Sequence, residues 1–338
     1  MRIVVLAGGL SPEREVSLVS GRMIADALVQ KGHSVLLLDL AEGMSALPRD
    51  PRSLFTRQIA CPGAKISAFS PQRQESCQRR RQTWIGQNVL ELCRYADKVF
   101  LALHGSVGEN GWLQATLDLH GIPYTGSDAV GSMLAMDKDL TKRLLRNAGL
   151  PTPDWMTLDP FTTPADAIGV RVGFPCVVKP VGCGSSVGIS MVESNGELAG
   201  ALQAASGWGC LVMAEKKIVG RELTVGILDG KPLPAVEICP KAGFYDYQNK
   251  YDGSTEEICP APLSSVIRAR LESFSLRAFK TLRLRGYARF DYILDYTEGL
   301  WCLEANTLPG MTPTSLFPRA AAAQGISFCE LCERILNL

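Results

Sequence analysis

Two alternating segments joined by a short turn leave the chain few ways to fold near its C-terminal end. In WCLEANTLPGM (Trp301 to Met311) a glutamate and an asparagine stand two residues apart in an otherwise apolar run. Side chains on a strand alternate, so Glu304 and Asn306 point one way while Leu303 and Ala305 point the other. Upstream, YARFDYILD (Tyr287 to Asp295) alternates likewise, with Arg289 and Asp291 on one face and Phe290, Tyr292 and Leu294 on the other. The intervening YTEG (Tyr296 to Gly299) reads as a turn. A hairpin centred between Thr297 and Glu298 sets Asp291 opposite Glu304 and Arg289 opposite Asn306, and stacks Tyr292 on Leu303 and Leu294 on Trp301. One face is then core. The other carries two facing carboxylates, which repel unless something neutralises them. A magnesium ion, hard and oxygen-seeking, meets that need and takes its remaining ligands from water and substrate phosphates. The plainer alternative is a solvated hairpin face on which Arg289 compensates the acids.

A length of 338 residues exceeds what one core usually supports, so two or three domains are expected. Lys plus Arg number 35 against 34 for Asp plus Glu, a formal charge of +1, which exerts no global pull on nucleic acid or an anionic membrane. Any anion site must therefore be local. The opening MRIVVLAGG has too short an apolar run for a signal peptide, and no later stretch reaches the roughly 18 to 20 apolar residues of a membrane span. The expectation is a cytoplasmic protein without stable membrane association. The 11 cysteines are odd in number and scattered through apparent strands and loops, as suits reduced thiols. The one CxxC, Cys329 to Cys332, has no second pair or nearby histidine and reads better as buried small side chains than as a zinc or redox site.

RIVVLAGG reads as a strand and glycine turn, EVSLVSGRMIADALVQKGH as a helix ending near Gly32, SVLLLDL as the next strand, and KVFLALHG (Lys98 to Gly105) as another, followed by a helix in ENGWLQATLDLHG. This succession is α/β, with function expected where strand ends meet loops. Gly8-Gly9 lacks the GxGxxG of a dinucleotide site. Residues 45 to 83 interrupt the pattern with prolines and seven arginines, including QRRRQ; sparse aromatic interleaving favours an exposed excursion over a nucleic-acid patch.

A central unit follows the helix in KDLTKRLLRNAGLPTPDW, which ends at Gly149 before two prolines. FPCVVKPVGCGSSVGISMV (Phe174 to Val192) reads as strand, glycine-rich loop, strand. It is not a Walker A loop, because the lysine precedes the glycines. Gly182, Gly184 and Gly188 with Ser185 and Ser186 can still bend backbone N–H groups around an anion, and Lys179 adds a point charge from the strand. A flexible hairpin loop would explain the glycines but not the embedded lysine. GCLVMAEKKIVGRELTVGILDGKPLPAVEI looks like a strand, a connector and a hairpin turned at Asp229-Gly230. Its Glu215 and Glu222 adjoin apolar segments, as the wall of a dry nucleotide slot would require. The tyrosine-rich CPKAGFYDYQNKYDGSTEEICP offers Lys250 and Tyr251 to close over a bound ligand.

Seven segments in order, GGLSPEREVSL, LALHGSVGENGWLQ, YTGSDAVGSMLAMDKDLTK, VVKPVGCGSSVGIS, FYDYQNKY, RFD and LEANTLPGMTPTSL, resemble the ATP-grasp ligases, and within them the D-alanine–D-alanine ligase family. The departures are the Arg-rich segment and VGCG, where the family loop is often charged. The resemblance implies a three-domain α/β ATP-grasp architecture: an N-terminal doubly wound parallel-sheet domain over residues 1–135, a central domain over 136–218 with the phosphate loop, and a C-terminal domain over 219–338 with the closing loop and metal site. The latter two would enclose ATP, and a homodimer would form through the N-terminal domain.

Carried over residue by residue, Lys138 and Lys179 match the phosphate-binding lysines and Ser186 the phosphate loop. Glu215 matches the adenine-side position and Glu222 the ribose carboxylate. Asp291, Glu304 and Asn306 match ligands for magnesium, with manganese as an alternative ion. Arg289 and the Gly310 backbone N–H match oxyanion stabilisers. Glu13 would hold the ammonium of the first D-alanine, linked to Ser185 and Tyr251. Lys250 and Ser315, with Leu316 beside it, would meet phosphate or the second substrate. His104 would assist the second amine with Glu109 as its partner. The implied reaction joins two D-alanines through a D-alanyl phosphate for peptidoglycan precursors, FYDYQNKY favouring an amine over D-lactate. A D-alanyl-D-lactate or D-alanyl-D-serine ligase, and a noncatalytic nucleotide-binding scaffold, are the alternatives. The scaffold should tolerate loss of Lys179, Asp291 or Arg289.

Overall fold

The computed structural model describes residues 1–57, 83–163, 166–184, 187–209, 211–240, 255–312 and 314–338. Residues 58–82 of the Arg-rich segment lie outside them. The first sheet is parallel, in the order β2-β1-β3, from β1 (Arg2–Ala7), β2 (Ser34–Asp39) and β3 (Lys98–Leu101). Ile3 to Ala7 are fully buried, as the unbroken apolar run of a strand covered on both faces requires. The helix Arg14–Gln30 makes the crossover between β1 and β2 and buries Ile24, Ala25 and Leu28.

The second sheet is antiparallel, in the order β4-β7-β5-β6: β4 (Trp155–Leu158), β5 (Cys176–Pro180), β6 (Ser190–Val192) and β7 (Val212–Lys216). The third is also antiparallel, with the path β11-β10-β8-β12-β13 and β9 added to β8. Its strands are β8 (Gly220–Leu228), β9 (Lys231–Pro232), β10 (Val236–Pro240), β11 (Thr255–Ile258), β12 (Tyr287–Asp295) and β13 (Leu300–Asn306). Asp229 and Gly230 between β8 and β9 both take positive φ, 51° and 67°, as a tight hairpin turn demands of an Asp-Gly pair.

The β12–β13 hairpin sets Asp291 opposite Glu304 and Arg289 opposite Asn306, as expected. Nearer the turn the expected register is corrected: Tyr292 lies opposite Cys302, Ile293 opposite Trp301 and Leu294 opposite Leu300. The turn is the reason. Asp295 N donates to Gly299 O, and the Asp295 carboxylate accepts from Thr297 N, Gly299 N and Trp301 Nε1, fixing a pairing one residue out of step with the acidic pair. A β-bulge at Leu303 absorbs the difference. Cys302 thereby joins Phe290, Tyr292 and Leu294 in the core, in place of Leu303.

The helix Lys138–Asn147 links the second and third sheets. Asp137 caps it by accepting from Leu140 N, and one face, Lys138, Thr141, Lys142 and Leu145, is buried. Leu145 enters the core of the third sheet, while Lys142 reaches Glu215 on β7. The C-terminal helices Leu316–Ala323 and Phe328–Asn337 fold back, so that Leu331 and Ile335 share a core with Ile24 and Leu28. Cys332 is buried in that core, and Cys329 Sγ lies 3.3 Å from Gln30 Oε1; both are free thiols. No helix among the described residues is long and apolar enough to cross a membrane.

Candidate active site

A cleft of about 730 Å³ opens between the second and third sheets, with Glu13 and His104 entering from loops of the first. Every expected site residue that the structure describes lines it: Glu13, His104, Lys138, Lys179, Glu215, Glu222, Arg289, Asp291, Glu304, Asn306, Gly310, Ser315 and Leu316. The expectations for Ser185, Ser186, Lys250 and Tyr251 lie outside the described residues. One end of the cleft is apolar, walled by Val177, Met191, Leu223, Ile293 and Leu303, with the β7–β8 connector Lys217 to Val219 along its edge. Leu303, expected in the core, stands here because of the bulge.

The polar end is built by strand alternation. Asp291 and Glu304 face each other across the hairpin and Asn306 follows on the same face. Asp291 accepts from Thr224 Oγ1 at 2.6 Å, and Arg289, two residues along the strand, clasps both its oxygens at 3.0 and 2.9 Å. In this structure the arginine therefore compensates one acid of the pair. Asn306 Oδ1 is buried and meets no hydrogen-bond donor among the described residues. Two carboxylates and an amide oxygen form a hard donor set, and a buried acceptor without a donor fits a cation there.

Lys138, at the start of its helix, donates to the Cys183 carbonyl in the glycine loop and sits 3.5 Å from Glu304 Oε2. Lys179, on β5, pairs with Glu215. Lys142, one helical turn beyond Lys138, completes this group; it is fully buried and donates to Glu215 Oε2 at 2.8 Å and Thr152 Oγ1 at 2.7 Å. Burial would raise the Glu215 carboxyl, but Lys179 and Lys142 outweigh it and hold the group at about 2. Sequence reasoning missed Lys142. Its spacing of four from Lys138 in KDLTK, on the same helical face, was the available signal.

Around the first sheet, the Glu13 carboxylate lies close to Gly105 and Gly184; a Cβ on Gly105 would stand 3.0 Å from Glu13 Oε2. His104 and Glu109 do not bond each other directly, contrary to the expected partnership, because both are taken by the peptide of Leu308. His104 Nδ1 lies 3.0 Å from Leu308 O, and Leu308 N donates to Glu109 Oε1 at 3.2 Å. Glu109 Oε2 also accepts from Gly105 N at 2.6 Å. Burial pushes the Glu109 carboxyl up to about 7, reinforced by Glu13, and burial lowers His104. Gly310 faces Ser315, whose Oγ accepts from Thr312 N at 3.0 Å; a Cβ at Gly310 would come within 2.7 Å of that oxygen. Leu316 is buried beside it.

The arrangement joins an apolar slot to a cluster of cations facing two acids, a combination suited to a nucleotide triphosphate and a metal ion. Comparison with known proteins agrees with it. The family described as D-ala D-ala ligase N-terminus matches residues 2–127, and D-ala D-ala ligase C-terminus matches residues 144–337. The chain is 40% identical over 336 residues to the D-alanine–D-alanine ligase of Syntrophotalea carbinolica, covering 99% of this chain and 95% of that one. It is 38% identical to the ligase of Aquifex aeolicus, covering 100% of both. The crystal structure of D-alanine–D-alanine ligase from Bacillus anthracis complexed with ATP superposes with a TM-score of 0.78 at 31% identity, over 100% of this chain and 96% of that one. Matched along its whole length, in sequence and in the ATP-grasp arrangement of its sheets, the chain belongs to the D-alanine–D-alanine ligase family.

Proposed function

We propose that the protein ligates two D-alanine molecules at the expense of ATP, through D-alanyl phosphate, giving D-alanyl-D-alanine, ADP and phosphate for peptidoglycan precursors. The observation that carries this reading is the hairpin register, which turns Asp291, Glu304 and Asn306 into the cleft that Lys138 and Lys179 also line. A carboxylate is a poor acyl donor. Attack of the first D-alanine's carboxylate on the γ-phosphate of ATP makes an acyl phosphate, and the amine of the second D-alanine then attacks its carbonyl, loses a proton and expels phosphate. Lys138 and Lys179 neutralise charge on the transferring group. Magnesium, or manganese, held by Asp291, Glu304 and Asn306 would supply further charge neutralisation at the phosphates.

The remaining roles are those the resemblance implies, and the lining of the cleft supports them. Its apolar end takes the adenine beside Glu215, with Glu222 toward the ribose. Glu13 takes the ammonium of the first D-alanine. Arg289 and the Gly310 N–H stabilise the tetrahedral oxyanion, which asks Arg289 to turn from Asp291 when a cation takes over the acid. Ser315 and Leu316 border the second substrate, and His104, its imidazole kept neutral by burial, assists the second amine. Ser185, Ser186, Lys250 and Tyr251 retain the roles that the resemblance implies. The likeness to a relative whose crystals hold ATP supports nucleotide binding. The same reading carries a cytoplasmic homodimer with domains over residues 1–135, 136–218 and 219–338.

Purified protein supplied with ATP, magnesium and D-alanine should release phosphate and form the dipeptide. Nucleotide binding without either product would defeat the reading. With D-lactate or D-serine in competition, D-alanyl-D-alanine should dominate near and above neutral pH, and predominance of a mixed product would overturn the substrate assignment alone.

A further inference from the structure

The buried group around Glu215 contains one more cation than the proposed chemistry uses. Lys179 and Lys142 each hold one oxygen of the carboxylate, Lys179 on Oε1 and Lys142 on Oε2. All three residues are at most 5% exposed. Lys142 Nζ is held by the Glu215 carboxylate and, away from the cleft, by the Thr152 hydroxyl and the face of Trp155, whose ring centre is 5.0 Å from it. Trp155 is itself the backbone partner of Glu215 in the β4–β7 pairing, so the ammonium is anchored to the strand beside the one that carries the acid. Lys142 does not line the cleft, whereas Lys179 and Glu215 do.

We infer that Lys142 is a positioning residue that keeps Glu215 neutralised, so that Lys179 can leave the carboxylate and turn to the nucleotide phosphates. The inference rests on the proposed binding of ATP in this cleft. A buried ion pair resists separation, because the partner left behind is an uncompensated charge. If Glu215 had Lys179 alone, every phosphate contact by Lys179 would strand a buried carboxylate. With Lys142 fixed on Oε2, the carboxylate keeps a partner throughout. The arrangement also explains the excess charge: the net positive group is completed by an anion, and the cleft offers the phosphate as that anion.

The test is a double-mutant cycle on the full-length protein, read as the dissociation constant of magnesium-ADP by calorimetry and as KM for ATP against kcat. Lys142→Met should weaken ADP binding at least about tenfold and raise KM for ATP more than it lowers kcat, because Lys179 is then locked to Glu215. Adding Glu215→Gln removes the charge that would be stranded, so the double variant should bind ADP at least about threefold more tightly than Lys142→Met alone. Loss of an adenine contact at Glu215 works against this recovery and cannot produce it. A merely structural lysine would lower the melting temperature and the active fraction while leaving KM unchanged, and its damage would add to that of Glu215→Gln. Wild-type ADP binding by Lys142→Met, or a double variant no better than the single one, overturns the inference. Should Lys142→Met fail to fold, Glu215→Gln is compared with the double variant: with no carboxylate left to strand, loss of Lys142 should change ADP binding by less than about threefold, and a larger loss refutes a role exerted through Glu215. Absence of dipeptide from the wild type would strike the ligase reading instead, and leaves this binding cycle intact.

Discussion

Glu109 gives the site a pH signature that can be calculated before it is measured. Its carboxyl is 7% exposed and held between Gly105 N and Leu308 N, with Glu13 as a nearby like charge and Arg289 as a weaker opposite one. Burial first and Glu13 second move it from an ordinary 4.5 to about 7. At 1.36 kcal/mol per pH unit of displacement, the two states differ by about 3 kcal/mol. The sign follows from proton counting: between these values the folded chain holds a proton that the unfolded chain has released, so folding weakens as pH rises. The contribution is whole below pH 4.5 and is lost as pH climbs through about 7. Glu109→Gln removes the titration while still accepting one of the two N–H groups, at a pH-independent cost of about 1–3 kcal/mol for the other. Urea unfolding at pH 5 and pH 8 should therefore show the wild type losing about 2.5 kcal/mol relative to the variant, since part of the contribution is already gone at pH 5. Carbon NMR of labelled glutamate should place the Glu109 midpoint near neutrality. A constant stability difference across that range, or a midpoint at an ordinary carboxyl value, would refute the account of its burial.

Glu304→Gln, which removes one of the facing acids, should lower magnesium-dependent turnover by about a hundredfold while the melting temperature stays near that of the wild type; a magnesium titration of dipeptide formation checks it. Gly310→Ala should slow dipeptide formation while ADP binding stays near the wild type, because its Cβ would meet Ser315 Oγ at 2.7 Å, and relieving that overlap costs about 1–3 kcal/mol; steady-state kinetics beside calorimetry separates the two. Tyr292→Phe is the converse, since the lost 3.0 Å bond to Ser275 Oγ lies in the core behind the hairpin. It should lower stability by about 1 kcal/mol with kcat unchanged, as thermal melting and turnover will show.

Much of this architecture is legible in local patterns, for physical reasons that also mark where reading stops. The run RIVVLA before two glycines reads as a strand, which the fold buries on both faces, and Asp229-Gly230 reads as a tight turn, because a two-residue hairpin favours residues that take positive φ. Lys179 stands out because a lysine inside an apolar strand needs a partner. Which partner it has is another matter: Glu215 lies on a neighbouring strand and Lys142 on a helix, and only the folded sheet brings them together. The partnership expected of His104 and Glu109 is indirect for the same reason, since the Leu308 peptide that lies between them comes from the far end of the chain. Arg289 and Asp291, two apart on one strand, were legible as neighbours, and compensation of the acids by Arg289 was the plainer alternative; only the folded strand shows that it closes on both oxygens of Asp291.

The hairpin shows why a register drawn from a turn centre can hold at the acidic pair and still fail beside the turn itself. Facing carboxylates at Asp291 and Glu304 require one pairing, while the bond from Asp295 N to Gly299 O requires another, shifted by a single residue. A slip of one residue carries a whole strand face to the opposite side of the sheet. Had the turn's register run the length of β13, Glu304 would lie opposite Phe290 and point into the core, where an unpaired carboxylate is prohibitively costly. The extra residue at Leu303 reconciles the two demands. It leaves Cys302 and the tyrosine layer packed below the turn, restores Glu304 and Asn306 to the cleft, and moves Leu303 into the apolar wall. The bulge thus binds core, base slot and acidic pair into one local solution, and no alternation count across either strand alone contains it.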